Sequence, residues 1–210
     1  MPIRAIICDL FDVLFFAKNL AARRSLEKRL GLPENGLTQA MLYTPQFREA
    51  IWGRISGEEL WRAVAVDIGL DAQQWSMVAD TFYSAIELNT DLLAFLRELR
   101  PRYKTAILSN APPDVRVLVT QRFHLEREVD EVIISAEVGA TKPNLEIYQF
   151  AAQRLSVQVQ EALFIDDELR FVEAARALGM QGVQFKDTEQ AIAEIRACLL
   201  VDDREQKTLH

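Results

Sequence analysis

The chain reads as an α/β protein, a parallel sheet with helices on its faces, interrupted once by an all-helical insertion. Three observations lead there. Short, nearly continuous apolar runs recur at residues 3–8, 105–108, 132–134 and 162–165, with a weaker fifth at 182–185. Such runs suit strands covered on both faces. Helical periodicities separate them from residue 90 onward, and residues 17–86 hold no convincing strand but repeated helix punctuation.

Taken in order, the first run climbs to Asp9 and is followed by an aromatic-rich stretch containing Phe11, Phe15 and Phe16. In the insertion, Ala22, Leu26 and Leu30 repeat every four residues, and Gly31 stands where a helix-terminating glycine belongs. Thr44 and Pro45 suit the N-cap and first turn of a helix carrying Phe47 and Ile51, with Gly53 after it. Ser56 with Glu59 predicts a capping box for the segment holding Leu60, Val64 and Ile68. Asp71 with Gln74 does the same for Trp75, Val78, Phe82 and Ile86. Beyond the insertion, Thr90 is the expected cap of a helix carrying Leu92, Phe95, Leu96 and Leu99, which Pro101 closes. Ile147, Ala151 and Leu155 form one stripe, and Asp187 with Gln190 starts a last helix through Ile192 and Ile195. The polar end DDREQKTLH predicts fraying. The expected division is residues 1–16 and 87–200 for the α/β core, 17–86 for the insertion and 201–210 for a polar tail.

Composition narrows the function classes. Half the 210 residues are apolar, enough for a packed core. With 24 basic and 31 acidic residues the formal charge is -7, and no Lys/Arg stripe is interleaved with aromatics, which argues against a nucleic-acid partner. The chain has no run of 18 apolar residues and no signal-peptide layout at its N-terminus, so the expectation is a cytoplasmic protein without a membrane partner. Cys8 and Cys198 lie in apolar segments and suit buried reduced thiols. Apolar helix stripes in the insertion leave room for a homodimer.

In a parallel sheet, ligands bind beyond the carboxyl ends of the strands, so the residues at which each apolar run stops matter most. They are Asp9, then Ser109 with Asn110, then the loop SAEVGATKP with Lys142, then Asp166 with Asp167. Singly, each is ordinary turn or cap material. Together they bring a carboxylate, a hydroxyl–amide pair, a cation and an acidic pair to one rim.

At these positions the chain resembles the haloacid dehalogenase superfamily. The matching pieces are IICDLFDVLF, AILSN, GATKPNLEIY and LFIDDELRFVEAARALGM, in the family's order. The resemblance implies a Rossmann-like core, with residues 17–86 as a helical cap, and a hydrolase of the phosphatase or dehalogenase branch. It also implies Asp9 as nucleophile, Lys142 as its cation, and Ser109 with backbone N–H groups holding phosphoryl oxygens, while Asn110 orients substrate or loop. Mg²⁺ would be bound by Asp9, the backbone carbonyl of Phe11, Asp166 and Asp167. The implied substrate is a small phosphorylated molecule.

Two positions depart from the family pattern. Phe11 stands where phosphatases of the family carry the aspartate that protonates the departing alcohol, help commonly worth about 10² to 10⁴ in rate. Asp12, one residue on, should face the other way in an extended segment and is expected to be a turn residue. Phe171 stands where relatives of this branch usually carry asparagine. Family dehalogenases also have an aromatic residue at the position of Phe11 and need no metal, so a carbon-attacking hydrolase is one alternative and a catalytically impaired ligand-binding protein another. The acidic pair favours the phosphatase, because a metal-free site would hold extra carboxylates against mutual repulsion. Phe15, Phe16, Phe47 and Trp52 are candidates for an apolar roof over the site, with Arg48 or Arg54 meeting an anionic substrate. His124 is expected at the surface, and no histidine triad can be assembled.

Overall fold

The computed structural model describes residues 1–208. Strand β1 (Ala5–Cys8) leads into a short β2 (Phe15–Ala17), and five helices follow: α1 (Ala21–Leu30), α2 (Gly36–Tyr43), α3 (Pro45–Ile51), α4 (Gly57–Asp67) and α5 (Trp75–Ser84). The chain returns through β3 (Ile86–Leu88), α6 (Thr90–Leu99) and β4 (Lys104–Ser109). A single turn, α7 (Val115–Val117), runs into a π-type turn at Leu118–Arg122. Then come β5 (Glu131–Ile134), the short α8 (Ser135–Val138), α9 (Leu145–Arg154), β6 (Ala162–Asp166), α10 (Leu169–Ala177), β7 (Gln181–Gln184) and α11 (Thr188–Thr208).

The five long-range strands form one parallel sheet in the order β5-β4-β1-β6-β7. β1 lies at its centre, and every residue of it is buried because helices cover both faces. Ile6 and Cys8 point into the layer that contains Leu92, Leu96 and Ile195; Ala5 and Ile7 point into the opposite layer with Ile147, Ala151 and Ala175. This two-sided burial is why the strand reads as an unbroken apolar run rather than an alternating one. Pairing aligns Cys8 with Ile107 on one side and with Ile165 on the other. Asp9, Ser109 and Asp166 therefore emerge together at one edge of the sheet.

Helices α1 to α5 pack around their own core of Leu26, Leu37, Leu60, Trp61, Val64, Val78 and Phe82. Gly31 adopts the left-handed conformation that ends α1, and Ser56 with Glu59 forms a reciprocal capping box on α4. Asp71 and Gln74 also form such a box, but on a one-turn 3-10 helix (Ala72–Gln74) that feeds α5. The helical unit is seated on the sheet by specific contacts. The Ser135 hydroxyl donates to the Ile51 carbonyl at 2.7 Å, and Gly53 sits so close to α8 that a Cβ would stand 2.0 Å from the Ala136 carbonyl oxygen. Trp61 Nε1 and the Tyr83 hydroxyl both donate to Asp114 Oδ2 at 2.8 Å.

Three expectations are corrected. The supposedly strand-free stretch is flanked by an antiparallel ribbon, with Phe15 paired to Leu88 and Ala17 to Ile86; three residues a side are too few to show a period. The cap of α6 is Asn89, not Thr90: its Oδ1 accepts from the Leu92 N–H at 3.2 Å, while its Nδ2 donates to the Val13 carbonyl and to Thr188 Oγ1, both at 2.9 Å. An amide can cap and bridge at once; a hydroxyl has no second donor for that. The expected tail continues α11 as far as Thr208, and Leu209 and His210 fall outside the described residues. Among the described residues no helix is long and apolar enough to cross a membrane.

Candidate active site

The strand ends assemble around one ammonium group. Lys142 Nζ lies 2.8 Å from Asp9 Oδ1 and 2.6 Å from Asp166 Oδ2, with its side chain 1% exposed. Asp166 is fully buried and its other oxygen accepts the Glu168 N–H at 2.9 Å, so both of its oxygens are engaged. Asp9 donates its own N–H to the Ile165 carbonyl, which continues the sheet one residue past β1, and its Oδ1 also accepts the Leu10 N–H at 2.7 Å. Asp9 Oδ2 makes no hydrogen bond among the described residues. Asp9, Asp166 and Asp167 each offer an oxygen within 4.8 Å of the others, a spacing a hard divalent cation can draw together.

Charge explains the energetics of this cluster. Burial alone would push Lys142 down, but the carboxylates of Asp9 and Asp166 outweigh it and hold the ammonium above the ordinary lysine range. Burial, then the charge of Asp9, pushes Asp166 up against the pull of Lys142. Asp167 is pushed up to about 6, first by burial and then by the charges of Asp9 and Asp12. Three carboxylates against one ammonium leave the group short of positive charge, and a cation would supply it.

The loop that carries Lys142 is held by Asn110. Its Nδ2 donates to the Lys142 carbonyl and its Oδ1 accepts the Lys142 N–H, both at 2.8 Å. Two aromatic faces wall the ammonium: the ring centroids of Phe171 and Phe164 lie 5.1 and 5.5 Å from Nζ. Phe171, the departure in the fourth motif, is buried and fixed by the Tyr148 hydroxyl donating to its carbonyl at 2.9 Å. Ser109 closes β4 at the same rim, 1% exposed.

Past Asp9 the backbone turns. Asp12 takes a left-handed φ of 58°, its N–H donates to the Phe15 carbonyl at 2.8 Å, and Phe11 bridges to Phe15. The strict alternation expected of an extended segment is broken, and Phe11 and Asp12 line the same cavity. Burial, then the charge of Asp9, raises the Asp12 carboxyl, with Arg23 pulling it the other way.

That cavity, about 220 Å³, lies between the helical unit and the sheet edge. Of the candidate roof residues, Phe15, Phe16 and Phe47 line it. Arg48, Trp52 and Arg54 do not: Arg54 stacks over Trp52 at 5.4 Å and pairs with Glu49 at 3.2 Å, and Arg48 is exposed. Sequence reasoning passed over Arg23, Met41, Phe82 and Tyr83, which also line the cavity. Arg23 reads as one more polar position on an amphipathic helix; only its burial at 5% exposure marks it. His124 is exposed, as expected.

The fold is thus a parallel sheet whose strand tips gather a carboxylate, a buried lysine and an acidic pair beneath a helical unit. A family model described as haloacid dehalogenase-like hydrolase matches residues 3–179, and the chain belongs to that family. Among curated relatives, the drimenol cyclase drtB of Aspergillus calidoustus is 30% identical over 90% of this chain, which spans 35% of drtB's length. The sesquiterpene phosphatase astK of Aspergillus oryzae is 27% identical over 92% of this chain and 95% of its own. The solved structure of a predicted HAD-like family hydrolase from Porphyromonas gingivalis superposes with a TM-score of 0.78, at 28% identity, over 95% of this chain and 98% of that one.

Removing the ammonium should leave two buried carboxylates facing each other. Lys142→Met is expected to lose about 3–5 kcal/mol of stability at pH 8. The loss should shrink toward pH 5 as protonation relieves the repulsion, and the double variant with Asp166→Asn should regain part of it. Urea denaturation at both pH values measures this; a single variant within about 1 kcal/mol of wild type at pH 8 contradicts the reading of the cluster.

Proposed function

We propose that the protein is a Mg²⁺-dependent phosphatase acting on a small phosphomonoester through an aspartyl-phosphate on Asp9. The observation that carries this reading is the triad of Asp9, Asp166 and Asp167, which share one space while a single ammonium serves two of them. A hydrolase attacking carbon to expel halide has no need of Asp167 there. The name of the fungal relative astK, a sesquiterpene phosphatase, supports the same direction.

The residues divide the work by charge. Asp9 Oδ1 is held by Lys142 and the Leu10 N–H, which leaves Oδ2 to attack phosphorus. Lys142 offsets the repulsion between that carboxylate and a dianionic ester. When bound by Asp9, the Phe11 carbonyl, Asp166 and Asp167, Mg²⁺ supplies further positive charge to the transferring phosphoryl group. Ser109, at the tip of β4, is positioned to hold a phosphoryl oxygen, and Asn110 keeps Lys142 in register. The alkoxide leaves, takes a proton from water, and a second water hydrolyses the aspartyl-phosphate to release phosphate and regenerate Asp9.

Phe11 offers no proton to the leaving alcohol, so aryl and acyl phosphates should react faster than alkyl phosphates. Phosphate release with Mg²⁺ should disappear in Asp9→Asn, and Phe11→Asp should raise turnover of alkyl phosphates by about 10-fold or more while changing p-nitrophenyl phosphate far less. Metal-free halide release from 2-haloacids, with no phosphate released from any ester, would overturn the reading.

The acidic pair also sets a pH dependence. With the Asp167 carboxyl raised to about 6, a proton on that carboxyl competes with the cation below that pH and not above it. The half-saturating Mg²⁺ concentration should begin to climb as pH falls through about 7, where Asp166 takes up a proton, and climb more steeply below about 6, where Asp167 does so too. Asp167→Asn should weaken binding at pH 8 and remove the added steepness below pH 6. Magnesium titrations of phosphate release across pH 5–8 test it, and a wild-type profile without the bend contradicts it.

A further inference from the structure

The cavity beside the site says more about the substrate than the catalytic residues do. Its walls are Phe11 and Phe15 from the segment after Asp9, Met41 and Phe47 from α2 and α3, and Phe82 and Tyr83 from α5. Of the polar groups among its walls, Arg23, Tyr83 and Asn110 are held by other partners, which leaves the Asp12 carboxylate and the Thr38 hydroxyl at the cavity surface. The Arg23 guanidinium donates from Nε to the Phe82 carbonyl at 2.8 Å and from Nη2 to the same oxygen; it reaches Thr38 Oγ1 at 3.4 Å and lies 3.9 Å over the Phe82 ring. Glu27 and Asp12 offset its charge. The Tyr83 hydroxyl donates to Asp114, which does not line this cavity, and the Asn110 amide donates to and accepts from the peptide of Lys142.

Sugar, nucleotide or polyol phosphates need several donors and acceptors facing the non-reacting part of the molecule, because each buried hydroxyl left unpaired costs affinity. With one carboxylate and one hydroxyl left over, the walls offer no such array. They offer ring faces and methyl groups, which favour hydrocarbon roughly in proportion to the area covered. A volume of about 220 Å³ is below the ~300–1,000 Å³ typical of drug-sized ligand sites, so one medium-sized hydrocarbon group fills it.

We propose, on the footing of the phosphatase reading above, that the substrate is the monophosphate of an apolar alcohol, an alkyl or isoprenoid chain lodged between the helical unit and the sheet while its phosphate meets Asp9 and Lys142. The cavity then selects by hydrocarbon, and the strand tips supply the chemistry. Phe47, on α3, and Met41, on α2, are specificity-determining residues that the helical unit contributes to the wall.

Non-hydrolysable ligands separate this inference from turnover. Calorimetry on the full chain with Mg²⁺ and n-alkylphosphonates from ethyl to octyl should show binding tightening about fourfold per methylene until the cavity is full. The heat-capacity change should grow more negative along the series. Phe47→Ala and Met41→Gln should each reduce that increment, and octylphosphonate should bind far more tightly than glycerol 3-phosphate. A dissociation constant independent of chain length, no binding of any phosphonate, or a preference for polyol phosphates overturns the inference. Release of phosphate from p-nitrophenyl phosphate is measured separately, and its absence counts against the phosphatase reading while the chain-length series still decides the cavity's preference.

Discussion

One buried ammonium makes this site possible. Lys142 lies within hydrogen-bonding distance of Asp9 and Asp166, and its side chain is almost wholly withdrawn from water. A charge so placed is tolerable only if paired, and two carboxylates so close together are tolerable only with a cation between them. Each part therefore fixes the others. The sheet register brings Asp9 and Asp166 side by side, Asn110 clamps the peptide of Lys142 from the neighbouring strand tip, and the rings of Phe164 and Phe171 close the remaining sides.

That arrangement is stable in charge only in part. Asp167 adds a carboxylate that Lys142 does not meet, and burial with the charges of Asp9 and Asp12 lifts its titration toward neutrality. A bound cation would relieve this imbalance, supplying what a second lysine would otherwise have to supply. The one charged side chain that the helical unit brings to the cavity, among the described residues, is Arg23, and it is turned to the Phe82 carbonyl. The rest of its contribution is shape: aromatic and methyl walls held over the sheet by the contacts of Ser135 with Ile51 and of Asp114 with Trp61 and Tyr83.

The strand tips were legible in the sequence because β1, β4 and β6 are covered on both faces, which makes their apolar runs continuous and their ends abrupt. Helix starts with reciprocal caps, at Ser56 and Asp71, were legible for a similar local reason. What escaped depends on partners distant in the chain. The β2–β3 ribbon joins residues about seventy positions apart through three-residue strands. Asn89 outranks Thr90 because it must reach Val13 and Thr188 as well as cap. Trp52 as a roof residue and Arg54 as an anion contact could not be excluded locally, because their stacking on each other depends on the fold, and Arg23 was passed over because nothing local distinguishes a buried arginine from a solvated one. Asp12 is the turn residue expected, while the side its carboxyl faces was not legible, since alternation along a strand says nothing once one residue adopts a left-handed conformation.

The central claim is that Asp9, Asp166 and Asp167 share one divalent cation beside the Lys142 ammonium. Diffraction from crystals grown with Mn²⁺ in place of Mg²⁺ tests it most directly, because the anomalous signal locates the ion without assumption. The account predicts a single peak bonded to oxygens of Asp9 and of one or both of Asp166 and Asp167, with Lys142 still paired to Asp9. A map with no peak there, or with the ion bound elsewhere and the three carboxylates apart, contradicts it.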